Sequence, residues 1–400
     1  MANVFIGSSR FESSGKATLM TMTQPDIDLL DPLPLAQELI RCNSVTPADG
    51  GSQAVLARAL ESLGFTVHRL KYGEIENLYA RLGTGGRHLC FAGHTDVVPV
   101  GAANWRDNPF AAEVRDGVLY GRGACDMKGA IAAFVSGIAQ HLAENPLNGS
   151  LSFLITGDEE GPAIDGTVKV LEWMKENGQI PDFCLVGEPT CPVKLGDMVK
   201  IGRRGSVNMW IEVFGTQGHV AYPHRADNPI HRLIRALDAL TSAPVDAGSD
   251  WFEPSSLQIT DIDVGNPTVN LIPSSAKARL NIRFNEKHSG KSLIAWVNKT
   301  VAQYADTFEV KGIVSGESFV TQPGPMVDIL RNAIVAATGV EPKLDTGGGT
   351  SDARFIANYC PVAEFGLVGA TMHQTDERVP VNELRDLARI YRGVVAAFQA

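Results

Sequence analysis

His88-Leu89-Cys90-Phe91-Ala92-Gly93 is a short apolar run, and it closes on Gly93-His94-Thr95-Asp96, where polar groups begin abruptly. A run of this length bounded by Gly fits a strand buried on both faces. Polar residues directly after it fit the crevice that open α/β sheets form beyond the carboxyl ends of their strands. The same grammar recurs at 151–156, 182–187 and 362–368, and helical periodicity at 128–143, 166–177, 325–337 and 382–398 alternates with these runs. The expectation is an α/β fold on a mostly parallel sheet.

Residues 205–317 read differently. Alternating strands such as Ser206 to Phe214 and Ala276 to Phe284 accompany helices near 228–241 and 291–305, which predicts an inserted α+β unit. The surrounding segments, 25–204 and 318–400, then form one domain. Residues 1–24 are rich in Ser, Thr and Gly, lack the apolar stretch of a secretory signal, and read as a disordered leader.

With 400 residues, 44% of them apolar, the chain can bury a large core and divide in two. A net charge of -10 argues against nucleic-acid and anionic-membrane partners, which need a basic face, and no apolar run approaches the ~20 residues of a membrane span. The six cysteines form no C-x-x-C pair, which fits buried thiols in a reducing, cytoplasmic setting.

The candidate chemistry sits after the strands. A His such as His94 is, alone, more often a hydrogen-bonded loop residue than a ligand. Asp96, two residues on, is expected to accept its second imidazole N–H and so free the other nitrogen for metal. Gly121-Arg122-Gly123-Ala124-Cys125-Asp126 precedes a helix and superficially resembles a dinucleotide loop, but Asp126 stands where the third glycine belongs. Asp126 alone reads more readily as a helix cap than as a ligand. Gly157-Asp158-Glu159-Glu160-Gly161 packs three acids at a strand end, an arrangement that calls for a cation or full solvation. Glu188 in Gly187-Glu188-Pro189-Thr190 and His373 in Thr371-Met372-His373 complete the set. Together these N and O donors suit two divalent ions sharing a bridging carboxylate in a catalytic, not a closed structural, site.

On these motifs, with Gly202-Arg203-Arg204-Gly205-Ser206, Gly218-His219-Val220-Ala221-Tyr222-Pro223-His224 and Gly347-Gly348-Gly349-Thr350-Ser351-Asp352, the sequence resembles the aminoacylase and zinc exopeptidase family from about Leu33 to the C-terminus. The resemblance implies two zinc ions per chain, with cobalt as a substitute. His94 and Glu188 would hold one, Glu160 and His373 the other, and Asp126 would bridge. It implies Glu159 as general base, with Asp96 and His219 completing the catalytic set, and a Glu at position 188 is the form found in members that act on acylated amino acids. The 205–317 unit becomes a dimerisation and lid domain whose His219 reaches the other protomer of a homodimer. Arg203 and Arg283 become clamps for substrate carboxylates, a task that suits planar guanidinium groups. Asn270, Tyr222, Ser206, Gly349 and Thr350 match positions near substrate. The implied reaction is hydrolysis of the amide of a small N-acyl amino acid, with N-succinyl-LL-2,6-diaminopimelate the expected substrate. Deacylation of acetylornithine or of a broader range of acyl amino acids is the nearest rival, and a binding protein that kept the fold without turnover is the rival of another class. A serine hydrolase is unsupported, because no G-x-S-x-G elbow occurs.

Overall fold

Each of the four apolar runs forms a strand in the computed structural model, which describes residues 27–400. The leader expected at 1–24 lies outside the described residues. In chain order the principal strands are β1 (Thr66–Tyr72), β2 (Ile75–Leu82), β3 (His88–His94), β4 (Ser150–Thr156), β5 (Phe183–Val186), β6 (Met198–Lys200), β7 (Gly205–Phe214), β8 (Ser256–Asp263), β9 (Ser275–Phe284), β10 (Phe308–Gly316), β11 (Lys343–Asp345) and β12 (Val362–Glu364). The helices are α1 (Pro32–Arg41), α2 (Ser52–Ser62), α3 (Lys128–Glu144), α4 (Thr167–Glu176), α5 (Pro229–Thr241), α6 (Gly290–Val301), α7 (Pro325–Thr338), α8 (Ala353–Ile356) and α9 (Val381–Gln399).

An eight-stranded sheet runs β1-β2-β4-β3-β5-β12-β6-β11. Four of its seven neighbouring pairs are parallel, namely β3 with β4, β3 with β5, β5 with β12 and β6 with β11. Every residue of β3 and β4 is buried, as expected for strands covered on both faces. Successive side chains leave a strand in opposite directions. Phe91 accordingly joins the core beneath α3 and α9, while Cys90 joins the smaller core beneath α4 and α8. In the first core Phe91 stacks on Phe134 at 4.2 Å and meets Tyr391 edge-on at 5.7 Å. Gly137 lets α3 and α9 approach closely, since a Cβ there would lie 2.8 Å from the Ala388 carbonyl oxygen.

A second sheet, β8-β9-β7-β10, is wholly antiparallel. Its strands alternate, β9 burying Ala276, Ala278, Leu280 and Ile282 and turning Lys277 and Arg279 outward, the pattern of a sheet packed on one face. Helices α5 and α6 cover that face around a separate core running from Val207 to Ala305. Asn228 caps α5, and Ser289 with Ser292 forms a capping box at α6. The two chain crossings between these cores pair with each other, Gly202 with Val320 and Arg203 with Phe319.

Two elements end several residues short of the periodicity's prediction. The run at 362–368 keeps ladder geometry only through Glu364, after which Gly366 passes so close to Gly187 that a Cβ would sit 2.4 Å from the Gly187 carbonyl oxygen. The helix expected over 291–305 ends at Val301, where the Thr300 and Val301 carbonyls accept tighter-turn bonds from Gln303 and Tyr304.

Candidate metal centre

Strand register delivers the donors to one end of the sheet. His94 pairs with Thr156 at the ends of β3 and β4, so the Asp158-Glu159-Glu160 loop starts beside it, and β5, lying against β3 on its other side, leads into Glu188. Asp126 precedes α3, and His373 follows β12. Buried His94 has its Nε2 at 3.2 Å from Asp126 Oδ1 and 3.9 Å from Glu188 Oε1. Asp126 Oδ2 lies 3.2 Å from His373 Nε2, which is 2.9 Å from Glu160 Oε1. Among the described residues, three donor triads lie within 4.8 Å of one another: His94-Asp126-Glu188, Asp126-Glu160-His373 and His94-Glu159-Glu160. The first two share Asp126.

Electrostatics favours cations here. Burial, reinforced by Asp126 and Glu159, pushes Glu188 well above the ordinary carboxylate range. Burial also raises Glu159 to about 8, against the pull of His94 and with the help of Asp352, Glu160 and Asp126. Burial alone would raise Asp126 too, but hydrogen bonds with His373 and His94 hold it well below the usual range. His373 is drawn up to about 10 by Asp126 and Glu160. Four carboxylates and two imidazoles crowded at the end of a buried sheet are costly to keep charged without compensation. Hard or borderline divalent ions suit this N and O donor set, so the residues fit the metal pair that the sequence implies.

The role of Asp96 needs correcting. Its backbone carbonyl meets His94 Nδ1 at 2.9 Å, while its carboxylate Oδ1 stands beyond hydrogen-bond distance of the same nitrogen, at 3.7 Å. The carboxylate instead accepts the Glu160 N–H at 2.9 Å and the Glu159 N–H at 3.3 Å, so it holds the two glutamates while the carbonyl orients the imidazole. Burial raises Asp96 to about 6.

Arg203 also departs from its expected role as a free clamp. Its Nε donates to Glu364 Oε1 at 2.8 Å, its Nη2 to Glu364 Oε2, and its Nη1 to the Gly349 carbonyl at 3.1 Å. Ser351 Oγ donates to the same Glu364 at 2.8 Å, so this buried pair pins the Gly349-Thr350-Ser351 loop. The physical reason is the fully buried Glu364, whose charge requires a partner. Arg283 is different. It pairs with Ser206 across β7 and β9, and burial together with the charge of Arg204 depresses its guanidinium.

His219 is exposed, and its Nδ1 accepts the Ala221 N–H at 3.0 Å. Tyr222, also exposed, lies 5.7 Å from it ring to ring, and the Asn270 carbonyl accepts the Val220 N–H at 3.1 Å. The chain thus gathers His219, Tyr222 and Asn270 on one loop surface. Among the described residues no hydrogen bond or ion pair joins His219 to the donor triads.

Three buried acids escaped the sequence reading: Glu364, Glu377 and Asp352. Asp352 closes a motif that carries the family resemblance but received no role of its own, and Glu364, an acid inside the apolar run Val362-Ala363-Glu364-Phe365, was a signal for a buried partner.

The family model described as peptidase family M20/M25/M40 matches residues 90–397. A succinyl-diaminopimelate desuccinylase of Acidiphilium cryptum is 60% identical over 361 residues, covering 90% of this chain and 96% of that protein. One of Caulobacter vibrioides is 57% identical over 386 residues, covering 95% and 99%. Among solved structures, aminopeptidase PepT of Bacillus cereus matches with a TM-score of 0.75 at 20% identity, covering 94% of this chain and all of that one. The YXEP protein of Bacillus subtilis, described as a dinuclear metal binding peptidase, matches with a TM-score of 0.70 at 16% identity, covering 92% and 98%.

Proposed function

The chain belongs to peptidase family M20/M25/M40, and from that premise we propose that it is a metal-dependent amidohydrolase that cleaves N-succinyl-LL-2,6-diaminopimelate to succinate and LL-2,6-diaminopimelate, a step of lysine and diaminopimelate biosynthesis. The observation that carries the reading is the pair of donor triads sharing Asp126, with Glu159 beside them. His94 and Glu188 would hold one ion, Glu160 and His373 the other, and Asp126 both. Zinc is the expected metal, with cobalt as a substitute, and when bound the ions supply Lewis-acid polarisation of the amide and activation of water.

The remaining work falls to the chain's own groups. Glu159, kept basic by its surroundings, takes a proton from the attacking water and passes it to the leaving amine. Asp96 fixes the backbone from which Glu159 and Glu160 project. Arg283, with Ser206 opposite it on the neighbouring strand, is the clamp for a substrate carboxylate, while Arg203 shapes the Gly349-Thr350 loop beside it. His219, with Tyr222 and Asn270, is proposed to reach the site of a second copy, making the active form a homodimer in which residues 205–317 serve as dimerisation and lid domain and 25–204 with 318–400 as catalytic domain. A cytoplasmic setting fits the six free thiols. No helix among the described residues is long and apolar enough to cross a membrane.

Turnover by zinc-loaded protein on N-succinyl-diaminopimelate and on N-acetylornithine tests the substrate. Preference for the succinyl compound is expected. Faster acetyl hydrolysis, or no hydrolysis of either, overturns it.

A further inference from the structure

We propose that Glu377 is a positioning residue that sets the separation of the two ion positions by tying the loop that carries Asp126 to the loop that carries His373. The inference rests on the proposed assignment of those two residues as ligands. Glu377 is fully buried. Its Oε2 accepts from Arg122 Nη1 at 2.9 Å and from the Gly123 N–H at 3.1 Å. Its Oε1 accepts the N–H groups of Cys125 at 3.0 Å and of Asp126 itself at 3.2 Å, and the Cys125 thiol at 3.4 Å. The Glu377 carbonyl takes the Gly121 N–H at 2.9 Å, and Arg122 reaches back to the Gln374 carbonyl at 3.2 Å. The segment from Gly121 to Asp126 is therefore wrapped around one side chain that stands four residues after His373.

A carboxylate offers about four lone-pair sites, and this one already meets five donors. No acceptor capacity remains for an ion or for substrate, so Glu377 can act only through the loops it joins. Those loops need holding. His373 and Asp376 adopt φ of 60° and 57°, a left-handed region that non-glycine residues enter only where their surroundings enforce it. Asp126 sits 3.2 Å from both His94 and His373, so a shift of a few tenths of an ångström in its loop alters both ion positions together. Metal sites tolerate departures of only about 0.2 Å in ligand distance.

Zinc affinity measured by chelator competition on the full chain tests this. Glu377→Gln presents an amide N–H2 to a ring of donors, and its affinity for zinc should fall about 10- to 100-fold, the usual scale for groups that orient metal ligands. Glu377→Asp keeps the charge and should recover part of that loss. A merely structural staple would lower the thermal midpoint of the metal-free protein while leaving the zinc affinity of the folded protein unchanged, and that result overturns the proposal. Where Glu377→Gln folds poorly, Glu377→Asp decides, and wild-type affinity for both ions in that variant is equally fatal. An Asp126→Asn control separates the two levels of argument. If it keeps both ions, the ligand assignment falls and takes this inference with it. If it loses them while the Glu377 variants bind normally, this inference alone fails.

Discussion

The end of the central sheet and the His219 loop make opposite use of similar residues. Around His94 every donor except the exposed His373 is buried or partly buried, and all of them converge on one another within a single chain. Around His219 the polar groups are exposed, and their contacts stay between the 218–222 segment and the nearby segment that carries Asn270. Buried parallel strands bring residues far apart in sequence to one point, whereas a loop on an inserted sheet presents its residues outward. The first region assembles its candidate donors from one chain alone. The second presents its groups outward, and this is the physical basis for the proposal that a second copy meets them there.

The largest expected effect strikes the first region without emptying it. Glu159→Gln should bind metal normally and lose roughly 10²- to 10⁴-fold in kcat, the contribution of a general base. Metal analysis alongside steady-state kinetics checks it. Loss of an ion in this variant would favour the triad His94-Glu159-Glu160 over the assignment in which Glu159 stays free of metal.

The exposed region should respond in kcat alone and somewhat less. His219→Ala should bind both ions and lose about 10²- to 10³-fold, the scale for deleting one donor to a developing oxyanion. Mixing His219→Ala with Glu159→Gln subunits sharpens the contrast, because a heterodimer built across copies regains one site with both residues intact. Demonstrated heterodimers without recovered activity would place His219 outside catalysis across the interface.

What was readable from sequence follows the same division. The four strands announce themselves because burial on both faces leaves short apolar runs, and the donors stand directly after them. The partners that complete the site were not readable. Glu377 meets Gly123 and Cys125 across 254 and 252 positions, and Arg203 meets Glu364 across 161, separations at which local periodicity carries no information. Arg203 reads as a clamp for a substrate carboxylate because its buried partner Glu364 lies on a strand that joins the sheet from the far end of the chain. The carboxylate of Asp96 drew the role of orienting His94, although the main-chain carbonyl of the same residue already stood in place.

The two ends of β3 extend the comparison to stability, with the smallest expected effect. His94 closes the strand among carboxylates, whereas His88 opens it, buried, with Nε2 at 2.7 Å from Ser152 Oγ. Burial, aided by the nearby Arg81 charge, depresses His88 to about 4. An unfolded histidine titrates near 6.5, so between these values the unfolded chain binds a proton that the folded chain refuses. Stability from this group is therefore complete above pH about 6.5 and is lost as pH falls toward about 4, to a limit of roughly 3 kcal/mol at 1.36 kcal/mol per unit. Because other groups also titrate in this range, the informative quantity is the difference between wild type and His88→Gln, both metal-free, in urea unfolding at a series of pH values. That difference should be flat above pH about 6.5, and below it wild type should lose stability relative to the variant. A difference that stays flat down to pH about 4 would show that His88 accepts its proton in the folded state, and that the buried end of β3 tolerates a charge as readily as the end that carries the candidate donors.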